Sequence, residues 1–149
     1  MSAEILKPIE TPSVDGTSPH SKNVLVVDDD PPTREFLEMM LLRQGFNVQT
    51  VPDGNAALQR LSVHSLRKID LVLLDMMMPG ESGYEILKKL QHHDYHPVPI
   101  FIITGQELDE STIYMIKSEP NVKGFFKKPV QAVTLGKNIH ETLGTQPRA

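Results

Sequence analysis

Five side chains in this 149-residue sequence are of types that together suit chemistry on an anion: Asp28 and Asp29 in VLVVDDD, Asp75 in IDLVLLD, Thr104 in VPIFIIT and Lys128 in GFFKKP. Asp75 carries the most weight. Ile69, Leu71, Val72, Leu73 and Leu74 before it form an apolar run of strand length, rich in branched side chains, of the kind covered on both faces of a sheet. A carboxylate where such a strand leaves the core must face water or meet a cation and hydrogen-bond donors. Pro79 and Gly80 then force a loop. Three carboxylates brought into one crevice repel one another and partly protonate unless a cation neutralises them. Hard oxygen ligands of this number suit Mg²⁺ or Mn²⁺. A lysine and a threonine hydroxyl opposite the acids add a charge and a donor for an incoming anion, so the set is suited to accept a phosphoryl group.

The elements that position these residues follow one grammar, repeated. Residues 23–27 (NVLVV) read as a short strand, followed by an acidic loop in which Asp30 can cap a helix that starts at Pro31 and Pro32. Phe36, Leu37, Met40 and Leu41 recur at helical spacing before Gly45, a residue suited to end the helix. Residues 46–51 alternate as a second strand, and Asp53 and Gly54 open a helix carrying Ala57, Leu58 and Leu61. The third strand is the run ending at Asp75, with a helix over about 82–91, where Ser82 and Glu85 have capping-box spacing. A fourth strand spans 98–104, with a helix over about 109–117 that turns Ile113 and Ile116 inward. The fifth strand is GFFKK (124–128), and the last helix carries Leu135, Ile139 and Leu143. Alternation of this kind predicts an α/β fold: a five-stranded parallel sheet covered on both sides, with right-handed crossovers. In that topology the ends of strands one, three, four and five share an edge, where ligands of open parallel sheets bind. All five residues end there.

Composition sets the remaining bounds. Hydrophobic content of 39% with 23% charged residues is ordinary for a globular domain, and the length suits one domain with tails. The expected division is a disordered tail over 1–21, rich in Pro, Ser and Thr, a folded domain over 22–143, and a frayed end over 144–149. A formal net charge of −4 offers no basic field, which disfavours nucleic-acid binding. The absence of cysteine excludes disulfides, thiolate zinc sites and cysteine nucleophiles. With no secretory pattern and no apolar run of membrane-spanning length, a cytoplasmic protein with no membrane contact is expected. His92, His93, Asp94 and His96 in QHHDYHP read as a solvated loop rather than a metal site. Met76, Met77 and Met78 read as gap-filling apolar residues.

The ordered set VLVVDDD, LLDMMMPGESG, IIT and KKP resembles the receiver domain of two-component response regulators, over about residues 22–143. The resemblance implies a doubly wound, flavodoxin-like sheet in the order 2-1-3-4-5 with five helices, as in chemotaxis receivers. It implies that Asp75 is the phosphoacceptor, taking the phosphoryl group from a phosphohistidine, and that Asp28, Asp29, Asp75 and the backbone carbonyl of Met77 hold Mg²⁺ or Mn²⁺. Lys128 would pair with the phosphoryl oxygens across a cis bond to Pro129, with Lys127 facing outward. Thr104 and Phe125 would form the switch; many relatives carry Tyr at the second position. The implied partners are a histidine kinase or histidine phosphotransfer protein, and a downstream protein met by the fourth helix, fifth strand and fifth helix; phosphorylation can also drive a homodimer. The expected role is a stand-alone response regulator, not an enzyme beyond weak loss of its own phosphate. The alternatives are a non-phosphorylated pseudo-receiver scaffold and a relay intermediate. Two departures are a stretch from Thr104 to Lys128 about two residues longer than is common for the family, and SEPNVKG (118–124) in place of the usual small-residue turn before the fifth strand.

Overall fold

The structure, a computed structural model, describes residues 18–62, 68–76, 83–91, 97–105 and 107–147. A 3-10 turn at Pro19–Ser21 leads into five strands alternating with five helices. These are β1 (Asn23–Val27), α1 (Pro31–Arg43), β2 (Asn47–Val51), α2 (Gly54–Leu61), β3 (Leu71–Asp75), α3 (Gly83–Lys89), β4 (Ile100–Thr104), α4 (Glu110–Lys117), β5 (Val122–Lys127) and α5 (Ala132–Leu143). All strand pairs are parallel, in the order β2-β1-β3-β4-β5. The doubly wound sheet expected from the alternation of elements is the one observed.

Strand periodicity divides the core into two layers. Leu25, Val27, Val72, Leu74, Ile100 and Ile102 face α2, α3 and α4, where they meet Ala57, Leu61, Ile86, Leu87 and Ile116. Val24, Val26, Leu71, Leu73, Phe101 and Ile103 face the other way and meet Leu37, Met40 and Leu41 of α1 and Leu135 and Ile139 of α5. Burial on both faces is why β1, β3 and β4 read as unbroken apolar runs rather than alternating ones. Phe36 departs from the expected stripe: it is 47% exposed, because the buried face of α1 runs through Leu37, Met40 and Leu41.

Three helices open on aspartate caps. Asp30, Asp53 and Asp109 accept from the backbone N–H of Thr33, Ala56 and Thr112, satisfying donors that the first turn leaves unpaired. Ser82, expected to begin a capping box, lies outside the described residues, as do the histidine loop 92–96, Met78, Pro79 and Gly80.

Strand β5 carries a register shift. Ile100 pairs with Val122 but Phe101 pairs with Gly124, so Lys123 is an extra residue on β5. A one-residue shift exchanges the two faces of everything downstream. It turns Phe125 toward the α4 side and Phe126 toward Phe101, with ring centroids 5.3 Å apart. The strand begins at Val122 rather than at Gly124 as the sequence pattern suggested, because Val122 packs beside Ile100 before the shift.

Both ends of the domain are more ordered than the composition predicted. Residues 18–21, expected within the tail, form a turn in which Pro19 is buried, and Asn47 Nδ2 donates to the carbonyl of His20 at 2.8 Å. Residues 1–17 lie outside the described residues. At the other end the chain does not fray at Gly144. That residue takes a left-handed conformation, φ 70°, and Thr145 folds back until it is 5% exposed.

The anchor for that return is His140. Its Nε2–H donates to Gln44 Oε1 at 2.8 Å, and its Nδ1 accepts the Thr145 hydroxyl at 2.7 Å. The imidazole also packs against Phe46, centroid to centroid 5.0 Å. This environment suits the neutral ring, and burial pushes the His140 pKa below its usual value. Because the unfolded state then binds the proton more readily, this contribution to stability is complete above the ordinary histidine value. It is lost as pH falls through the lowered folded value. Denaturant midpoints measured from about pH 7.5 to about pH 5.5 should therefore fall, and His140→Gln should flatten that part of the profile.

Candidate functional site

At the carboxyl edge of the sheet, the ends of β1 and β3 deliver three acids to one place. One ligand oxygen from each of Asp28, Asp29 and Asp75 lies within 4.8 Å of the others. Asp28 and Asp75 are 1% and 4% exposed, so their charges need compensation. Lys128 supplies it. Its ammonium lies 2.9 Å from Asp28 Oδ2 and 3.6 Å from Asp75 Oδ2, reaching acids 100 and 53 positions earlier in the chain.

Backbone geometry explains the reach. The Lys128 N–H donates to the Thr104 carbonyl at 2.8 Å, tying the residue after β5 to the end of β4, and the Lys128–Pro129 peptide is cis. Burial is the largest single influence on Lys128 and disfavours its charge. The hydrogen bond to Asp28 and the charges of Asp75 and Asp28 together outweigh that cost and hold the ammonium above the usual lysine range. Lys127, one residue earlier, is exposed and pairs with Glu107, as expected for an outward lysine.

Asp28 is clamped at three points. Its Oδ1 accepts the Asp30 N–H at 2.9 Å, its Oδ2 accepts Lys128, and its carbonyl accepts Arg34 Nη1 at 2.8 Å. Thr104 is buried at the end of β4, one residue beyond Ile103, which pairs with Asp75. Gly105 follows, and a Cβ there would meet only the Lys128 side chain at 3.6 Å. Phe125 is half-buried behind this edge, with the Lys117 ammonium 5.4 Å from its ring centroid. Asp28, Asp29, Asp75 and Lys128 thus converge, and Thr104 and Phe125 lie on the strands alongside. Met77, whose carbonyl was expected as a metal ligand, is outside the described residues.

The donor set fits a small hard cation. An octahedral ion with ligands near 2.1 Å spaces its ligand oxygens by about 3 to 4.2 Å, and three oxygens within 4.8 Å of one another reach that spacing with at most small side-chain rotations or bridging water.

Two positions were not picked out from the sequence. Arg34 lies in an ordinary amphipathic helix, and nothing in its spacing shows that it reaches back to Asp28. Gly83 opens α3 against the end of β3, where an added Cβ would lie 2.6 Å from Met76 Cα and 3.0 Å from the Asp75 carbonyl. Its only signal was its place in GESG, just after the Asp75 loop.

Residues 24–140 match the family model described as the response regulator receiver domain. The chain is 34% identical over 121 residues to response regulator RR06 of Streptococcus pneumoniae, covering 78% of this chain and 51% of that protein. It is 32% identical over 133 residues to the 3',5'-cyclic-nucleotide phosphodiesterase regA of Dictyostelium discoideum, covering 87% of this chain and 16% of that one. The chain therefore spans about half, or less, of the length of these relatives. Among solved structures, the chemotaxis protein CheY4 of Vibrio cholerae superposes with a TM-score of 0.68 at 26% identity, over 81% of this chain and 98% of that one. Receiver domains are in general phosphoacceptors in two-component signalling, and among the described residues no helix is long and apolar enough to cross a membrane. A parallel sheet in this order, an acid cluster at its carboxyl edge and a match over 117 of 149 residues lead to one conclusion: the chain belongs to the response regulator receiver domain family.

Proposed function

We propose that this chain takes a phosphoryl group on Asp75 from the phosphohistidine of a histidine kinase or histidine phosphotransfer protein, and changes its protein contacts in response. The observation that carries the reading is the convergence of three aspartates within 4.8 Å beside the Lys128 ammonium. An Asp75 oxygen attacks phosphorus as the phosphorus–nitrogen bond breaks with its electron pair going to the donor's ring, which carries a proton on its other nitrogen, leaving an aspartyl phosphate here and a neutral imidazole on the donor. Asp28, Asp29 and Asp75, with the Met77 carbonyl, would hold Mg²⁺ or Mn²⁺, which when bound would offset charge on the phosphoryl oxygens. Lys128, already aimed between Asp28 and Asp75, pairs with one of those oxygens. Thr104 donates its hydroxyl to another, and Phe125 follows it by repacking on the α4 side.

Phosphorylation acts as a switch only where two states differ in their contacts with the new group. The contact face in this reading is α4, β5 and α5, where Tyr114, Met115 and Val133 are exposed. A downstream protein, or a second copy of the chain, docks there. In this reading the chain works in the cytoplasm as a response regulator, turns over no external substrate and loses its phosphate slowly by itself. A relay intermediate would use the same chemistry, with a second histidine as acceptor. A pseudo-receiver scaffold is the reading that a failure to take up phosphoryl in the experiment below would leave standing.

Incubated with Mg²⁺ and a small acyl phosphate, the protein should gain the mass of one phosphoryl group, mapped to the peptide containing Asp75. No gain, or a gain elsewhere, overturns the proposal.

A further inference from the structure

We infer that Arg34 is a positioning residue of the acid cluster: its guanidinium fixes the β1–α1 turn so that the Asp28 and Asp29 carboxylates are set for a divalent cation. This rests on the metal-dependent reading above and adds a residue to it. Arg34 is the fourth residue of α1, at the close of its first turn, where a cation works against the helix dipole, so the helix itself gives little reason for the charge. Its guanidinium donates to the Asp28 carbonyl at 2.8 Å, partly buried, and its charge also acts on the exposed Asp30 carboxylate. That carbonyl belongs to the peptide that leads into Asp29. Asp28 follows the last residue of β1 and donates its own N–H to the Val51 carbonyl at 3.2 Å. Its side chain is held by Asp30 N–H on one oxygen and by Lys128 on the other. Arg34 thus holds the carbonyl of the residue through which the strand becomes the acidic turn.

Repulsion makes such a hold necessary. Three carboxylates within 4.8 Å push the loop that carries two of them away from the third, and Lys128 contacts Asp28 and Asp75. Asp29 sits between Asp28 and the Asp30 cap. Asp30 is fixed by the Thr33 N–H and hydroxyl, at 3.2 Å and 2.5 Å. With Arg34 pinning the peptide on one side and the Asp30 cap on the other, Asp29 is placed by its neighbours. A guanidinium suits the task because its donors project in a fixed plane, so one bond sets direction as well as distance.

Charge and position predict opposite results. Were Arg34 only a nearby positive charge, removing it would tighten cation binding, since the cluster would become more negative. As a positioning residue, its removal should weaken binding. Calorimetric titration of Mg²⁺ into the full chain at fixed ionic strength reads the difference. Arg34→Met should raise the Mg²⁺ dissociation constant by about ten-fold or more, in the range found for residues that orient metal ligands. Arg34→Lys, which keeps the charge and a donor, should recover part of that loss. Thermal melting without divalent cation runs alongside, because a merely structural role would lower the midpoint and leave Mg²⁺ binding unchanged. Unchanged or tighter Mg²⁺ binding by folded Arg34→Met overturns the inference alone. Failure of the wild-type chain to bind Mg²⁺ removes the reading beneath it as well. Should Arg34→Met not fold, Arg34→Gln carries the same comparison.

Discussion

Asp75→Asn is expected to take up no phosphoryl group and, without divalent cation, to melt at a higher temperature than the wild-type protein. The first half follows from chemistry, because a neutral amide oxygen lacks the charge with which a carboxylate attacks phosphorus. The second follows from counting charges. Asp75 has two acidic neighbours within 4.8 Å and one ammonium at 3.6 Å. At the effective dielectric that suits protein sites, each repulsion is about 3.5 kcal/mol at that outer limit and larger at any shorter separation, and the attraction is about 4.6 kcal/mol. Neutralising the group therefore gains about 2 kcal/mol, while Lys128 keeps its closer partner, Asp28, at 2.9 Å. Asp29→Asn should shift the midpoint in the same direction, by less, because that residue is more open to solvent. Added Mg²⁺ should shrink the difference, since it neutralises the wild-type cluster more than the mutant one. Intact mass and melting curves with and without Mg²⁺ test both halves. A lower Asp75→Asn midpoint in the presence of a chelator contradicts the charge argument, and an adduct on the mutant contradicts the choice of nucleophile. Stability given up at a reactive cluster is a common exchange for function.

Most of the candidate site was legible in the sequence because Asp28, Asp75, Thr104 and Lys128 lie at or just past strand ends. Apolar runs that stop at Asp28, Asp75 and Thr104 announce an edge, and β-α alternation puts those edges on one side. Strand order puts Lys128 on the same edge as Asp28, and the backbone bond to Thr104 together with the length of the lysine side chain closes the remaining distance. Positions decided by backbone contact were harder to see. The shift at Lys123 makes β5 begin early and sets which of Phe125 and Phe126 faces α4, and the pattern VKGFFKK carries no fixed sign of it. Phe36 has the type of a core residue and the position of a surface one. Thr145 and Pro19 sit in stretches whose composition reads as tail, yet each is buried, Thr145 against His140, which is itself held by Gln44. Composition reports average behaviour over a segment and does not see a single anchored residue.

Gly83→Ala should damage phosphoryl uptake far more than a surface alanine substitution, although Gly83 bears no chemical group. Alanine has better helix propensity than glycine, so the change would stabilise α3 by about 1 kcal/mol if only the helix mattered. Packing reverses the sign. The added Cβ would stand 2.6 Å from Met76 Cα, 2.8 Å from Met76 Sδ and 3.0 Å from the Asp75 carbonyl. Met76 Sδ can swing away, but the other two atoms are backbone at the end of β3, and Asp75 is held in the sheet by pairing with Ile103. Either α3 moves off the sheet or the strand end moves with Asp75. Overpacking of this kind costs about 1–3 kcal/mol, more than the propensity gain. Displacement of a reacting group by about 1 Å can lower a rate by about a hundred-fold. The expected result is a lower melting midpoint together with an initial rate of phosphorylation by a small acyl phosphate reduced by one to two orders of magnitude, at saturating Mg²⁺. A helix-surface control, Glu85→Ala, separates the close approach from any general effect of altering α3, since that residue is exposed in the same turn. Wild-type rate and midpoint in Gly83→Ala would mean that α3 can withdraw without carrying β3 along, and that Asp75 is positioned by the sheet alone.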